Sequence, residues 1–282
     1  KVCTENINKF VSDSIKKHLV SDVPIGVFLS GGVDSSLVAA IASLNSEQTI
    51  TAITVLFDDF KNTNNDETYV AEKLCKKLGL RHHIFKVTKE DFFEDLPKIL
   101  TAMDQPSIDG INTWYASKAA AKLNLKVVFS GLGGDEIFFG YDHYTKIPTL
   151  YNYLQILKKI PFFKNFLGIF CNFLSLIKRD LRWKLIPHYS NSISKLWFLK
   201  RSLLYSNYNR DEEKITLIDF CKKMLNENFS YKFKNSEICL SQLDTLIYMK
   251  NQLLRDSDWA SMYHGVELRT PFVDTQLIEN LK

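Results

Sequence analysis

The sequence predicts an α/β fold, a parallel sheet covered by helices and followed by a helical segment, on three observations. Short apolar, β-branched runs recur: IGVFL at 25–29, ITAITVLF at 50–57, HHIFKV at 82–87 and VVFS at 127–130. Between them lie stretches whose apolar residues fall at helical spacing, and such alternation is how a chain builds parallel strands through crossover helices. The first and fourth runs end in glycine-rich acidic loops, LSGGVDSS at 29–36 and SGLGGDE at 130–136. In an open parallel sheet these loops lie at the carboxyl ends of the strands, the edge where ligands bind.

Each element follows from local pattern. Residues 5–20 place Ile7, Phe10, Val11, Ile15 and Leu19 on one helical face, and Pro24 is expected to stop that helix before the first strand. The first glycine-rich loop opens a helix through SLVAAIAS. After the second strand, the acidic, Asn-rich DDFKNTNND leads to a helix from near Glu67 that Gly79 ends. The third strand precedes an acidic-start helix near 90–103, and a loop with Pro106 and Gly110 precedes the helix carrying ASKAAAK. From 151 to 210 the strands disappear into aromatic-rich helix, and the chain from Leu217 onward reads as helical. The expected division is an α/β core at 1–145 and a helical part at 146–282.

Composition narrows the class. At 282 residues, 45% hydrophobic and 24% charged, the chain can bury a full core, which excludes large-scale disorder. A net charge of +4 is too small to require a nucleic-acid partner. Its distribution is uneven: residues 151–210 hold eleven Lys and Arg (158, 159, 164, 178, 179, 182, 184, 195, 200, 201, 210) against Asp180 alone. An acidic partner, RNA or an anionic surface would fit that excess, but solvated lysine faces on amphipathic helices account for it most simply. The run PFFKNFLGIFCNFLSLI is 17 residues long with a lysine inside, which suits a core or interfacial helix better than a membrane span. The five cysteines, at 3, 75, 171, 221 and 239, lack metal-ligand spacing and fit a reducing cytoplasm. His82 and His83 are adjacent on a strand and point to opposite faces, so packing is expected rather than a shared metal.

The loop at 29–36 carries the first chemistry. Gly31 and Gly32 let successive backbone N–H groups face one anion, and the helix behind adds its positive end. Ser30, Ser35 and Ser36 supply hydroxyl donors, while the Asp34 carboxylate would repel phosphate unless a cation lay between, which implies Mg²⁺. The Walker A pattern, with its lysine before Ser or Thr, is absent. The string S-G-G-x-D-S instead resembles the pyrophosphate loop of enzymes that split ATP between its α and β phosphates. Asp135 in the second loop is placed to converge with Asp34 on the same metal–pyrophosphate unit.

Taken with RDSDWASMYHGVELRTPFVD at 255–274, these strings give the chain, over nearly its whole length, a resemblance to the synthetase domain of glutamine-dependent asparagine synthetases, an ATP-pyrophosphatase domain of the adenine nucleotide alpha hydrolase-like type. The resemblance implies that the side-chain carboxylate of aspartate is adenylated by ATP with Mg²⁺, and that ammonia then displaces AMP. By position, Leu29, Ser30, Gly31, Gly32, Asp34, Ser35 and Ser36 would cradle the phosphates, and Val55 and Phe57 would border the adenine. Ser130 and Gly131 would line the nucleotide, and Asp34 and Asp135 would face magnesium with Glu136 supporting or sharing that role. MDQPSIDGIN at 103–112 looks like the substrate-side loop, so that Asp104 and Asp109, with Arg255, Glu267 and Arg269, are carried over as substrate-side residues.

Two departures bear on the acceptor. Leu132 stands where some relatives have an acid that can take a proton from ammonia, and leucine cannot be a base. Trp259 stands where a Lys or Arg often faces the triphosphate, leaving Arg255 or Lys250 as substitutes. The acceptor is therefore aspartate or another carboxylate such as that of a sugar. A domain that binds nucleotide or a partner without turnover is the alternative, and an RNA-modifying ligase is disfavoured by RTPFVD. In the family, ammonia comes from glutamine through a preceding glutaminase domain. Cys3 lies at the start of a synthetase-type helix and reads as structural, and with no Met at position 1 the sequence reads as a piece of a two-domain protein. A glutaminase in cis or trans is the expected partner, and a homodimer is left open.

Overall fold

Five strands form one sheet in the computed structural model, which describes residues 4–61, 63, 66–107, 109–160, 163–180, 182–201 and 235–281. They are β1 (Ile25–Phe28), β2 (Thr51–Phe57), β3 (Arg81–Val87), β4 (Val127–Phe129) and β5 (Glu267–Arg269), in the order β3-β2-β1-β4-β5. Every neighbouring pair is parallel, with Val27 opposite both Ala52 and Phe129, and Val128 opposite Leu268. The chain thus runs outward from β1 to β3 and returns on the other side of β1, so the order reverses between β1 and β4. Both glycine-rich loops leave from that reversal, which in such sheets is the ligand crevice.

Helices cover both faces. On one, Val11 and Ile15 of α1 (Thr4–His18) and Val38, Ala39 and Ala42 of α2 (Val33–Asn45) pack on Val27, Ala52 and Phe129. On the other, Ala119 and Ala120 of α5 (Gly110–Lys122) pack on Ile53, Val128 and Val266. Adjacent strand residues such as Ala52 and Ile53 serve opposite faces, which is why the central strands read as unbroken apolar runs. Gly79 caps α3 (Thr68–Leu78) in the left-handed conformation at φ 68°, as expected. α4 (Lys89–Ala102) starts with a reciprocal capping box between Thr88 and Asp91.

Two expectations need correction. α1 ends at His18, well before Pro24, and the Arg269 guanidinium there donates to the carbonyls of His18 (2.6 Å) and Val20 (2.7 Å). The C-terminal segment is not helical throughout: after α12 (Leu254–Met262) the chain turns at Gly265, φ 64°, and forms β5. Consequently Thr245–Lys282 forms one compact unit with Lys1–Phe138, and Phe139–Asp244 forms a second. Position 145, the expected boundary, lies inside α7 (His143–Leu157).

The first unit also holds α6 (Gly134–Phe138), the π-helical stretch Asp244–Leu253 from Thr245 onward, which leads into α12, and α13 (Thr275–Leu281). The described residues of the second unit form the helices α7, α8 (Phe163–Lys178), α9 (Arg182–Tyr189), α10 (Ile193–Arg201) and α11 (Ser236–Leu243). Leu154, Leu167, Cys171, Ile186 and Leu199 form a core there. The buried Asp244 carboxylate accepts hydrogen bonds from His143 Nε2 (2.6 Å), Trp197 Nε1 (2.9 Å) and Arg201 Nη2 (2.8 Å). Among the described residues no helix is long and apolar enough to cross a membrane. Cys3, Arg210, Leu217 and Cys221 lie outside the described residues.

Candidate active site

The first loop is built to leave amides available. Leu29 N–H donates to the Ile53 carbonyl (2.9 Å), which fixes the end of β1, and Gly32 then serves as the N-cap of α2 in extended conformation. No side chain caps that helix, so its first N–H groups keep their ability to bind an anion. The serines shape the turn: the Ser30 and Ser35 hydroxyls lie 3.0 Å apart, and Ser35 Oγ also donates to the Ser30 carbonyl at 3.2 Å. Gly31 has α3 behind it, where a Cβ would come within 3.2 Å of Val70 Cβ.

The second loop lies against the first because its glycines have no side chains. A Cβ on Gly131 would stand 2.7 Å from the Ser35 amide nitrogen, and one on Gly134 would stand 2.3 Å from Asp34 Cγ. Gly133 adopts φ +94°, a conformation that favours glycine. Leu132, half-buried at the turn, donates its N–H to Ser130 Oγ at 3.3 Å.

This contact brings the acids together. Burial first, and then the charge of Asp135, push Asp34 up to about 6 from 3.8, although the Asp135 N–H donates to it and pulls the other way. A carboxylate so placed is poised to give up its proton to a cation. Among the described residues no group of three or more His, Cys, Asp or Glu side chains gathers as a metal site. Two half-buried carboxylates beside the uncapped start of α2 nevertheless fit Mg²⁺, which takes one or two protein carboxylates and completes its shell with phosphate and water. Glu136 is buried at 1% exposure, so it is set back from the loop edge that Asp34 and Asp135 share. His82 Nε2 meets Thr54 Oγ1 at 2.8 Å, a packing contact within the sheet.

Val55 and Phe57 lie on one face at the carboxyl end of β2, half-buried, with Phe57 edge-on to Tyr115 at 5.7 Å. Beside them is an apolar wall of Val87, Trp114, Tyr115 and Trp259.

The segment 103–110 is tied to the π-helical stretch and α12. Asp104 pairs with Arg255 Nε (2.5 Å), whose Nη1 donates to Gln105 (2.8 Å). Asp109 accepts from Tyr248 (3.1 Å) and Gln252 (2.5 Å), and Ser107 Oγ donates to Asp256. Asp256 has no local signal in the sequence that marks it as part of this cluster. Burial is the largest influence on it and, with the charges of Asp109 and Asp104, keeps its carboxyl above the ordinary range despite bonds from Ser107 and Trp259. The first Asp of RDSDW is a signal only once Ser107 is known to lie beside it.

Trp259 is a packing residue. It is 8% exposed, donates to Asp256 at 3.1 Å and lies so close to Gly110 that a Cβ there would be 2.3 Å from Trp259 Cζ2. Of the two cations expected to stand in for a lysine at 259, Arg255 is engaged by Asp104 and Gln105, while Lys250 is exposed on the π-helical stretch. Glu267 and Arg269 are brought together on β5, but Arg269 donates to Glu267 (2.7 Å) and to the carbonyls that close α1. The contribution of Arg269 to the loops is its main-chain carbonyl, which accepts from Ser130 N–H at 2.9 Å.

A family model described as asparagine synthase matches residues 6–281. Asparagine synthetase [glutamine-hydrolyzing] 1 of Bacillus subtilis is 26% identical over 281 residues, covering 96% of this chain and 42% of its own. The amidase chyE of Penicillium rubens is 26% identical over 313 residues, covering 98% of this chain and 45% of its own. This chain therefore spans less than half the length of either relative. The solved NH3-dependent NAD synthetase from Campylobacter jejuni overlaps 72% of this chain and 99% of its own at 16% identity, with a TM-score of 0.35.

Proposed function

Because the chain belongs to the asparagine synthase family, we propose that it is the synthetase part of an ATP-dependent ligase that turns a carboxylate into an amide. The observation that carries this reading is the meeting of the two glycine-rich loops, which sets Asp34 beside Asp135 at the uncapped start of α2.

In this proposal the amides of residues 30–34 and the Ser30, Ser35 and Ser36 hydroxyls hold the β and γ phosphates. Val55 and Phe57 border the adenine, and Ser130 and Gly131 line the nucleotide. Asp34 and Asp135 are the residues that would hold magnesium, which when bound neutralises charge on the departing pyrophosphate. An oxygen of the acceptor carboxylate attacks the α-phosphorus, the bond to the bridging oxygen breaks, and pyrophosphate leaves. Ammonia then adds to the acyl carbon of the acyl-adenylate, loses a proton and expels AMP. Leu132 cannot take that proton, so solvent or a neighbouring carboxylate must.

The acceptor is aspartate or a related carboxylate, held on the side of Asp104, Asp109 and Arg255. Ammonia is supplied from glutamine by a glutaminase domain in cis or in trans, as the name of the Bacillus relative suggests for that protein. A second reading, ATP binding without turnover, is favoured by one observation: at 259 a buried tryptophan occupies the position where a cation would meet the triphosphate. The two readings separate when AMP and pyrophosphate are measured from ATP, Mg²⁺ and ammonium across a panel of carboxylates. Release with one acceptor supports the ligase, and binding of ATP with no release under any acceptor supports the second reading.

A further inference from the structure

We infer that the outward face of α8 is a docking surface for an anionic lipid bilayer, in whose interface the helix lies flat. α8 is apolar on two sides. Its inward side supplies Leu167 and Cys171 to the core of the helical unit, against Leu154, Ile186 and Leu199. Its outward side presents Phe166, Ile169, Phe170, Phe173, Leu176 and Ile177, which are 61%, 70%, 45%, 58%, 72% and 59% exposed. Their spacing of three and four residues makes one continuous stripe along the helix, with the Phe166 and Phe170 rings stacked 6.1 Å apart. Scattered exposed apolar residues need no explanation, but a stripe of six large ones marks a surface that is covered in use.

Length and charge select the occupant. A helix of 16 residues spans about 24 Å at 1.5 Å per residue, short of a hydrocarbon core of about 30 Å, so it can lie in a membrane surface but not cross it. The surrounding sequence is strongly basic, with eleven Lys and Arg between 151 and 210 against Asp180 alone. Asp180 is itself held by Arg182 at 2.8 Å, while Lys159, Lys178, Arg179 and Lys184 are exposed. A second copy of this chain would bring the same positive excess to the stripe and repel it. Acidic headgroups complement that excess, while the stripe enters the acyl boundary, the combination that seats interfacial helices.

The test is flotation of the whole chain with vesicles of phosphatidylcholine alone and of phosphatidylcholine with phosphatidylglycerol at about 30 mol %. The expected result is binding to the anionic vesicles, weakened in high salt, and little to the neutral ones. Phe170→Ser with Phe173→Ser, both on the solvent face, should weaken binding at least about tenfold without changing the helical circular dichroism. Lys178→Glu with Arg179→Glu should do the same through charge. Absence of binding to either vesicle, or binding that the phenylalanine variant leaves unchanged, would overturn the proposal. So would a concentration-dependent dimer in sedimentation that the phenylalanine variant abolishes, since the stripe would then be covered by a second copy.

Discussion

Replacing Asp34 with Asn should make the protein more stable while removing the proposed ligase activity. Burial and the neighbouring Asp135 carry the Asp34 carboxyl from 3.8 to about 6, so the folded state holds a proton there that the unfolded state releases. A gap of about two pH units corresponds to at most about 3 kcal/mol. Asp34 is only half-buried, and solvent screening reduces this to about 1–2 kcal/mol. The sign follows from the raised value: the contribution is fully present below pH 3.8, falls as pH rises, and is lost above about 6. Asparagine resembles the protonated acid at every pH. Urea unfolding should therefore give equal stabilities near pH 4 and a variant more stable by about 1–2 kcal/mol near pH 8. ATP with Mg²⁺ should stabilise the wild type and leave the variant nearly unmoved, because the variant lacks the carboxylate that would meet the cation. A variant less stable than wild type at pH 8, or equally changed at both pH values, would show that the folded state does not disfavour the Asp34 charge.

Three further substitutions probe close contacts, two in the first unit beside the site and one in the core of the helical unit. Gly131→Ala puts a Cβ 2.7 Å from the Ser35 amide nitrogen, where backbone must yield; it should cost about 1–3 kcal/mol and weaken ATP binding about tenfold in a nucleotide titration, and unchanged affinity would separate the loops from the nucleotide. Gly110→Ala meets Trp259 at 2.3 Å; thermal unfolding should show a loss of about 1–3 kcal/mol that adding Trp259→Phe partly restores, whereas strictly additive losses would mean the two positions are uncoupled. Asp244→Asn leaves Arg201 and His143 without their buried charge and should cost about 3–5 kcal/mol. Burial acts against the Asp244 charge, but the bond from His143 and the Arg201 charge outweigh it and hold the carboxyl below its ordinary range. Its contribution is therefore present above the ordinary aspartate range and lost as pH falls, and a wild-type-minus-variant difference that grows on acidification would contradict this.

What could be read from sequence followed from how local each feature is. Strands β1, β2 and β4 announce themselves because a parallel strand buried on both faces must be apolar along its length, whereas β3, on the edge, shows only as a short β-prone run between turns. The glycine-rich loops are equally legible, since glycine, serine and aspartate there answer to backbone geometry within a few residues. β5 escaped because it has three residues, two of them charged, on the edge of the sheet beside a longer helical pattern. The side chain of Arg269 escaped for a related reason: its partners are carbonyls at the end of α1, at the far end of the sequence. Trp259 reads from sequence as a lost cation and from structure as the complement of Gly110, and nothing local to RDSDW discloses which glycine it needs. Asp256 depends in the same way on Ser107.

In the proposed function the two joined loops activate a carboxylate by transferring AMP to it. Exchange of labelled pyrophosphate into ATP, measured with Mg²⁺ and without ammonia, tests that step alone. Exchange should require the acceptor carboxylate, disappear in Asp34→Asn and give way to AMP as the nucleotide product once ammonium is added. Formation of ADP and phosphate under the same conditions would place attack at the γ-phosphate and contradict it.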